Sequence, residues 1–91
     1  MARHLIKRIS YSSYFARALN KLTSQIQQKF LEKEKVFLDN PFDVRLKTHK
    51  LHGKYKNFWS FSISGSCRVV FRFADNEEVV FIDVGGHDIY K

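Results

Sequence analysis

Apolar residues recur at helical spacing through the first half of the chain. The positions that lie three, four or seven residues apart, and so share one helix face, are Phe15, Leu19, Leu22, Ile26, Phe30 and Phe37. A serine at position 10, 12 or 13 can cap the start, and Thr23-Ser24 interrupts the pattern. Pro41 ends it, because proline disfavours helical backbone in the residue before it. The pattern predicts two helices in a hairpin or bent arrangement.

After Pro41 the apolar period changes from helical to two, which is typical of strands. Short apolar-polar alternations occur at 44–48, 59–64 and 67–73, and the run at 79–84 is almost continuously apolar. Turn sequences at 64–66 and 74–78 link the last three segments into an antiparallel meander. His4–Ile9 alternates more weakly and predicts one further short strand. We expect an α+β fold, with two N-terminal helices packed on the aromatic face of an antiparallel sheet of about four strands.

The 91 residues suit one domain, residues 1–91, and 44% of them are hydrophobic, enough for a single core. Cys67 is the only cysteine, so no intrachain disulfide can form, which favours a reducing, cytoplasmic location. The N-terminal residues hold no long apolar run, so we expect neither a signal peptide nor a membrane span.

The net charge of +7 is unevenly placed. Residues 1–56 hold 13 Lys/Arg against 4 Asp/Glu, whereas residues 57–91 hold 3 against 5. The segment Arg45–Lys56, called here the basic segment, has five Lys/Arg, two His and no acid. Such a segment attracts polyanions, of which nucleic-acid backbones are the commonest; the alternative is a solvated surface that keeps the protein soluble. The spacing of His49 and His52 lacks the Cys or acidic partners of a zinc site.

Three residues in the second half could carry chemistry. Arg68 lies in mid-strand opposite the apolar stripe, where its guanidinium could bind phosphate or simply pair with Asp83 or Glu78 across the sheet. His87 follows Gly85-Gly86 and could exchange a proton near neutral pH, or it could be an ordinary loop histidine. Tyr90 could stack on a base or pin the C-terminus to the core.

Taken in order, these signals resemble the RelE/ParE toxin superfamily, toxins of bacterial toxin–antitoxin pairs. The resemblance rests on "HKLHGKYKNFWSFSISGSCRVVFRF" (His49 to Phe73) followed by "VVFIDVGGHDIY" (Val79 to Tyr90). The front half agrees with it through a short strand, the "SYFARALNKL" helix and the "FLDNP" helix end. Essentially the whole chain is covered.

The resemblance implies a RelE-like ribonuclease that cuts messenger RNA on the ribosome by attack of a ribose 2′-hydroxyl on the adjacent phosphate. This reaction needs a base, an acid and positive charge on the phosphate, but no metal or cofactor. The implied catalytic residues are His87, Arg68, Tyr90 and His49, and the implied RNA-binding residues are Lys50 and Lys54. From their place in the basic segment we expect His52 and Lys47 to bind RNA as well. Implied partners are a cognate antitoxin protein and messenger RNA on the ribosome, with no membrane.

Two departures from the family pattern affect the acid and base assignments. The histidine-rich branch has a second histidine and an aspartate where this chain has Ser62 and Ser66, and the lysine-rich branch has more lysine and a second arginine. The alternatives are a ParE-like gyrase inhibitor, a non-catalytic basic RNA-binding module, and an inactive toxin kept as a partner for its antitoxin. Arg68 together with His87 favours the nuclease over the gyrase inhibitor.

Overall fold

The computed structural model describes residues 6–75 and 77–86, which fold as two helices on one five-stranded sheet. The helices and strands, in chain order, are β1 (Arg8–Tyr11), α1 (Ser13–Asn20), α2 (Ser24–Asp39), β2 (His49–Lys50), β3 (Trp59–Ser64), β4 (Cys67–Phe73) and β5 (Glu78–Gly85). The spatial order is β1-β5-β4-β3-β2, and every neighbouring pair is antiparallel except β1 with β5. The predicted α+β class and the β3–β4–β5 meander are confirmed.

Hydroxyl caps explain where each helix begins. Ser12 Oγ accepts a hydrogen bond from the Phe15 amide at 2.9 Å, and Thr23 Oγ1 accepts one from the Ile26 amide at 3.2 Å. Each cap satisfies one of the amides that the first turn leaves without an intrahelical partner. Thr23 therefore separates the two helices because it starts the second, and the predicted interruption is confirmed.

The core lies between the helices and the aromatic face of the sheet. Phe37 is 0% exposed, and its ring centroid lies 5.0 Å from those of Phe61 and Phe71 and 5.3 Å from that of Phe81. One α2 residue thus contacts three neighbouring strands. The predicted helix face is confirmed, since its other members are buried or pack partly buried against this cluster.

The first strand differs from its prediction in position and in pairing. It covers Arg8–Tyr11 and adds a fifth strand parallel to β5, whereas the prediction was His4–Ile9, of which residues 4 and 5 lie outside the described residues. Ion pairs of Lys7 with Glu77 (3.4 Å) and Arg8 with Glu78 (3.0 Å) accompany this pairing. These contacts join residues about 70 apart in sequence, which local alternation cannot reveal.

The strand predicted at 44–48 is wrong. Val44–Leu46 is a 3₁₀ turn in which Leu46 is buried and Val44 is 86% exposed. Asp43 holds the turn, since its carboxylate accepts hydrogen bonds from the Arg45 amide (2.9 Å) and the Arg45 guanidinium (2.9 Å). Such local side-chain bonds compete with strand pairing, so β2 is only two residues long.

A bulge near the end of β5 explains its continuous apolar sequence. Val70 is in register with Asp83 and Phe71 with Phe81, so Ile82 is an extra residue on β5. Phe81 and Val84 are three residues apart, yet both are buried in the core. The bulge therefore resets the alternation, and Asp83 lies on the sheet face away from the helices, the same face as its partner Val70.

Candidate functional site

The sheet face opposite the helices, called here the outer face, carries two cross-strand rows of candidate residues. One row is Ser62–Arg68–Gly85, on β3, β4 and β5. The neighbouring row runs across four strands as His49–Ser60–Val70–Asp83. The register thus brings Arg68 and His49, two of the predicted catalytic residues, to the same face of the sheet.

Arg68 is half-buried on this face, and within the described ranges it forms no ion pair. Neither of the two predicted pairings is formed in the described ranges, where Glu78 pairs with Arg8 instead. Its direct neighbours across the sheet are Ser62 and Gly85, neither of which carries a charge. The group is therefore available to an anion.

His49 is exposed at the edge of the same face, and its ring orientation is fixed by one hydrogen bond. Its Nδ1 lies 3.1 Å from the carbonyl oxygen of Lys47. Since a carbonyl can only accept, Nδ1 must carry the proton. The neutral ring then has an unprotonated Nε2, which can accept a proton from a substrate.

His49 and Arg68 lie two strands apart across the sheet and one row apart along it, and one row corresponds to two residues. Strands are spaced by ~4.8 Å and residues by ~3.4 Å along a strand, which gives a Cα–Cα distance of about 12 Å. Ser60 and Val70, which lie between them on the same face, are buried, at 0% and 5% exposure.

The predicted RNA-binding residues line the edge of the sheet around β2. Lys47 ends the Val44–Leu46 turn with left-handed backbone (φ 53°), and Lys50 is in register with Trp59. His52 precedes a second 3₁₀ turn at Gly53–Tyr55, in which the Lys54 ammonium lies 5.4 Å from the centroid of the Tyr55 ring. The four predicted residues are exposed and form a basic rim along this edge of the sheet, where Lys50 shares the helix-side face of its partner Trp59.

Arg45 contributes less free charge to this rim than the sequence suggests. Its guanidinium forms two 2.9 Å contacts with Asp43, an acid just outside the basic segment. These hydrogen bonds lower the pKa of the Asp43 carboxyl to about 2. The pair is nearly neutral, so the remaining charge of the basic segment comes from its lysines.

Two lysines of α2 that were not predicted as site residues reach the same edge. Lys29 Nζ lies 3.5 Å from Ser64 Oγ, and Lys33 Nζ lies 3.4 Å from the Arg45 carbonyl oxygen. The signal that could have found them is their spacing of four residues, which puts both on one helix face.

Cys67 precedes Arg68 but offers no reactive thiolate. Burial raises the pKa of its thiol, so the group is protonated at neutral pH. His87 and Tyr90, the other two predicted catalytic residues, lie outside the described residues. The last described residue is Gly86, one position after Gly85, the cross-strand partner of Arg68.

None of the helices in the described ranges is long and apolar enough to cross a membrane. Within the same ranges, no three His, Cys, Asp or Glu side chains are grouped as a metal site would require.

These features define a small α+β domain with a basic sheet edge and an arginine and a histidine on the outer face. No protein-family model and no curated protein sequence matches the chain. Solved structures do match, with sequence identities below 25%.

Three of these structures come from different bacteria. A chain of the RelBE2 toxin–antitoxin complex from Mycobacterium tuberculosis superposes with a TM-score of 0.77 at 19% identity, covering 96% of this chain and 98% of that one. A YoeB/ParE toxin from Agrobacterium tumefaciens gives 0.74 at 17% identity, covering 88% and 98%. A chain of the DinJ-YafQ toxin-antitoxin complex from E. coli gives 0.73 at 18% identity, covering 92% and 97%. The protein therefore has the RelE/ParE-like toxin fold, and the resemblance identified from sequence is confirmed at the level of fold.

Proposed function

We propose that this protein is the toxin of a type II toxin–antitoxin pair and acts as a ribosome-dependent endoribonuclease on messenger RNA. The observation that carries the proposal is the placement of an unpaired Arg68 and an oriented His49 on one sheet face, beside a basic rim, in a chain of RelE/ParE-like fold. An arginine and a proton acceptor on a basic surface are what cleavage of a phosphodiester needs.

In the proposed reaction, a base removes the proton of a ribose 2′-hydroxyl and the 2′-oxygen bonds to the adjacent phosphorus. The bond from phosphorus to the 5′-oxygen then breaks, an acid protonates that oxygen, and a 2′,3′-cyclic phosphate remains. Arg68 stabilises the charge that develops on the phosphate. Nε2 of His49 is suited to the role of base, which leaves His87 as the acid, although the opposite assignment satisfies the same chemistry. In this proposal Tyr90 stacks on a base near the cut.

The rim supplies binding rather than chemistry in this proposal. Lys47, Lys50 and Lys54 neutralise backbone phosphates, and His52 can hydrogen-bond to the RNA; each lysine–phosphate contact makes binding to single-stranded RNA more sensitive to salt. The natural inhibitor would be an antitoxin with an acidic segment that covers the outer face. Charge complementarity should make that association fast and salt-sensitive.

The catalytic proposal is tested by comparing the rate of RNA cleavage by the Arg68→Ala variant with that of the Arg72→Ala variant. Arg72 is four residues further along β4 on the same face and is exposed, so it matches the chemical change without the proposed role. On ribosomes programmed with a defined message, Arg68→Ala should cut about 10²- to 10³-fold more slowly, and Arg72→Ala should stay near wild type. His87→Ala should cost about 10²- to 10⁴-fold. Primer extension reads the cut sites, and circular dichroism checks folding.

Other outcomes would favour the alternative functions. Equal cleavage by wild type and Arg68→Ala would exclude the arginine from catalysis. A protein that leaves messages intact but blocks gyrase would be ParE-like, and one that binds RNA without cutting it would be a binding module. Co-expression with the product of an adjacent gene should relieve toxicity and yield a complex if the antitoxin proposal is right.

A further inference from the structure

A partly open cavity of about 430 Å³ lies between α1 and the end of β5. It exists because β1 leaves the sheet before β5 ends. β1 pairs with β5 only as far as Tyr11 and Phe81, after which the Ser12 amide and hydroxyl bond to the carbonyls of Phe81 (3.0 Å) and Ile82 (3.0 Å). The chain then turns into α1, and the last residues of β5 have a helix beside them instead of a strand.

One wall of the cavity is formed by α1 and carries an aromatic ring and two cations. Tyr14, Arg17 and Lys21 are three and four residues apart, so they share one helix face. All three are exposed, and Tyr14 is 59% exposed. Within residues 6–75 and 77–86 neither cation forms an ion pair.

The opposite wall comes from β5 and differs in chemistry. Asp83, Gly85 and Gly86 line this wall, and the two glycines contribute only backbone. An anion in the cavity is therefore attracted towards the two cations of α1. The cavity thus has an anion-binding side on α1 and a planar ring that lines it.

The cavity adjoins the proposed phosphate site. Gly85 is the direct cross-strand partner of Arg68, which places their Cα atoms ~5 Å apart. A strand of RNA whose scissile phosphate lies at Arg68 needs a place for the neighbouring nucleoside, and the cavity lies on the far side of β5 from Arg68.

We propose that this cavity binds the nucleoside next to the scissile linkage, with its base on the Tyr14 ring and its phosphate between Arg17 and Lys21. The inference rests on the proposed function, because it takes RNA as the substrate. Base stacking on an aromatic ring tolerates any base.

The test is binding of labelled toxin to ribosomes programmed with a short message. The message carries a 2′-O-methyl group at the cut position, which blocks attack, and an abasic nucleotide at one position at a time. With wild type, the abasic nucleotide next to the cut should weaken binding about five- to 150-fold, the range expected for one stacked base. Tyr14→Leu should bind the intact message as weakly as wild type binds the abasic one, and should no longer distinguish the two.

The role of the two cations is tested with the double variant Arg17→Gln/Lys21→Gln. Its control is the double variant Lys7→Gln/Lys35→Gln, which removes the same charge from exposed positions outside the cavity lining. At constant magnesium, loss of two phosphate contacts should reduce the slope of log affinity against log salt by about 1.4 relative to wild type, and the control should differ from wild type by much less. Thermal melts check that all variants fold.

The outcomes separate the two proposals. If Tyr14→Leu still binds the intact message more tightly than the abasic one, the cavity does not bind the nucleoside. The same conclusion follows if the two double variants give the same slope of log affinity against log salt. In either case the ribonuclease proposal stands. Should wild type fail to bind programmed ribosomes at all, the proposed function is wrong and this inference is wrong with it.

Discussion

Ser60→Ala is predicted to stabilise the protein, although Ser60 lies in the middle of the sheet. Its side chain is 0% exposed, and within the described part of the chain its Oγ has no hydrogen-bond partner. A buried hydroxyl without a partner costs about 1–3 kcal/mol. Removing one oxygen also loses a few dispersion contacts of ~0.1–0.2 kcal/mol each. The net expectation is a gain of about 1 kcal/mol in the free energy of unfolding, or roughly 4–8 °C in Tm for a domain of this size.

Urea and thermal unfolding followed by circular dichroism would measure this difference. Ser62→Ala is the matched control, because it is two residues along the same strand and face but only half-buried, so it should change stability by less than about 0.5 kcal/mol. Destabilisation of Ser60→Ala by more than that amount would mean that the hydroxyl has a partner in solution, such as a buried water, and would refute the reasoning.

The remaining predictions concern the core, the caps and one ion pair. Phe37→Ala should cost about 3–5 kcal/mol, a large part of the ~5–15 kcal/mol that holds a domain together, seen as a lower urea midpoint. Ser12→Ala should cost about 1–2 kcal/mol by the same assay, because one hydroxyl caps α1 and donates to Ile82. The pKa of Asp43, read from carbon-13 chemical shifts, should be about 2 and should rise towards ~3.9 in Arg45→Gln. Since the folded-state pKa is depressed, the stabilising contribution of the pair is complete above pH ~4 and is lost as the pH falls through 2.

Local patterns predicted most of the fold because most of its elements are specified locally. The helical face, the break at Thr23-Ser24 and the β3–β4–β5 meander follow from short-range periodicity, hydroxyl caps and turn residues. The errors occur where another interaction overrides the pattern. At 44–48 the Asp43–Arg45 contacts form a turn in a segment that alternates like a strand. The parallel pairing of β1 depends on contacts from residues about 70 positions later, which no local window contains.

The candidate site was predicted less completely than the fold. Placing Arg68 on the outer face needed only alternation along β4, and the register confirms that placement. The tautomer of His49 could not be predicted, because it depends on a carbonyl that a left-handed residue, Lys47, brings within reach. The cavity at α1 could not be predicted either, because it arises from the lateral neighbours of β5, which are set by topology.

The described candidate groups all lie away from the aromatic core, and this separation decides how variants can be interpreted. The core is a continuous set of phenylalanine contacts between α2 and the middle of the sheet, as for Phe37 with Phe61, Phe71 and Phe81. His49 lies on a two-residue edge strand, and Arg68 is the second residue of β4 and lies on the face opposite the core. Truncating either side chain removes no atom from the core, so it should leave the free energy of unfolding nearly unchanged. A loss of cleavage in these variants would therefore report lost chemistry rather than lost structure.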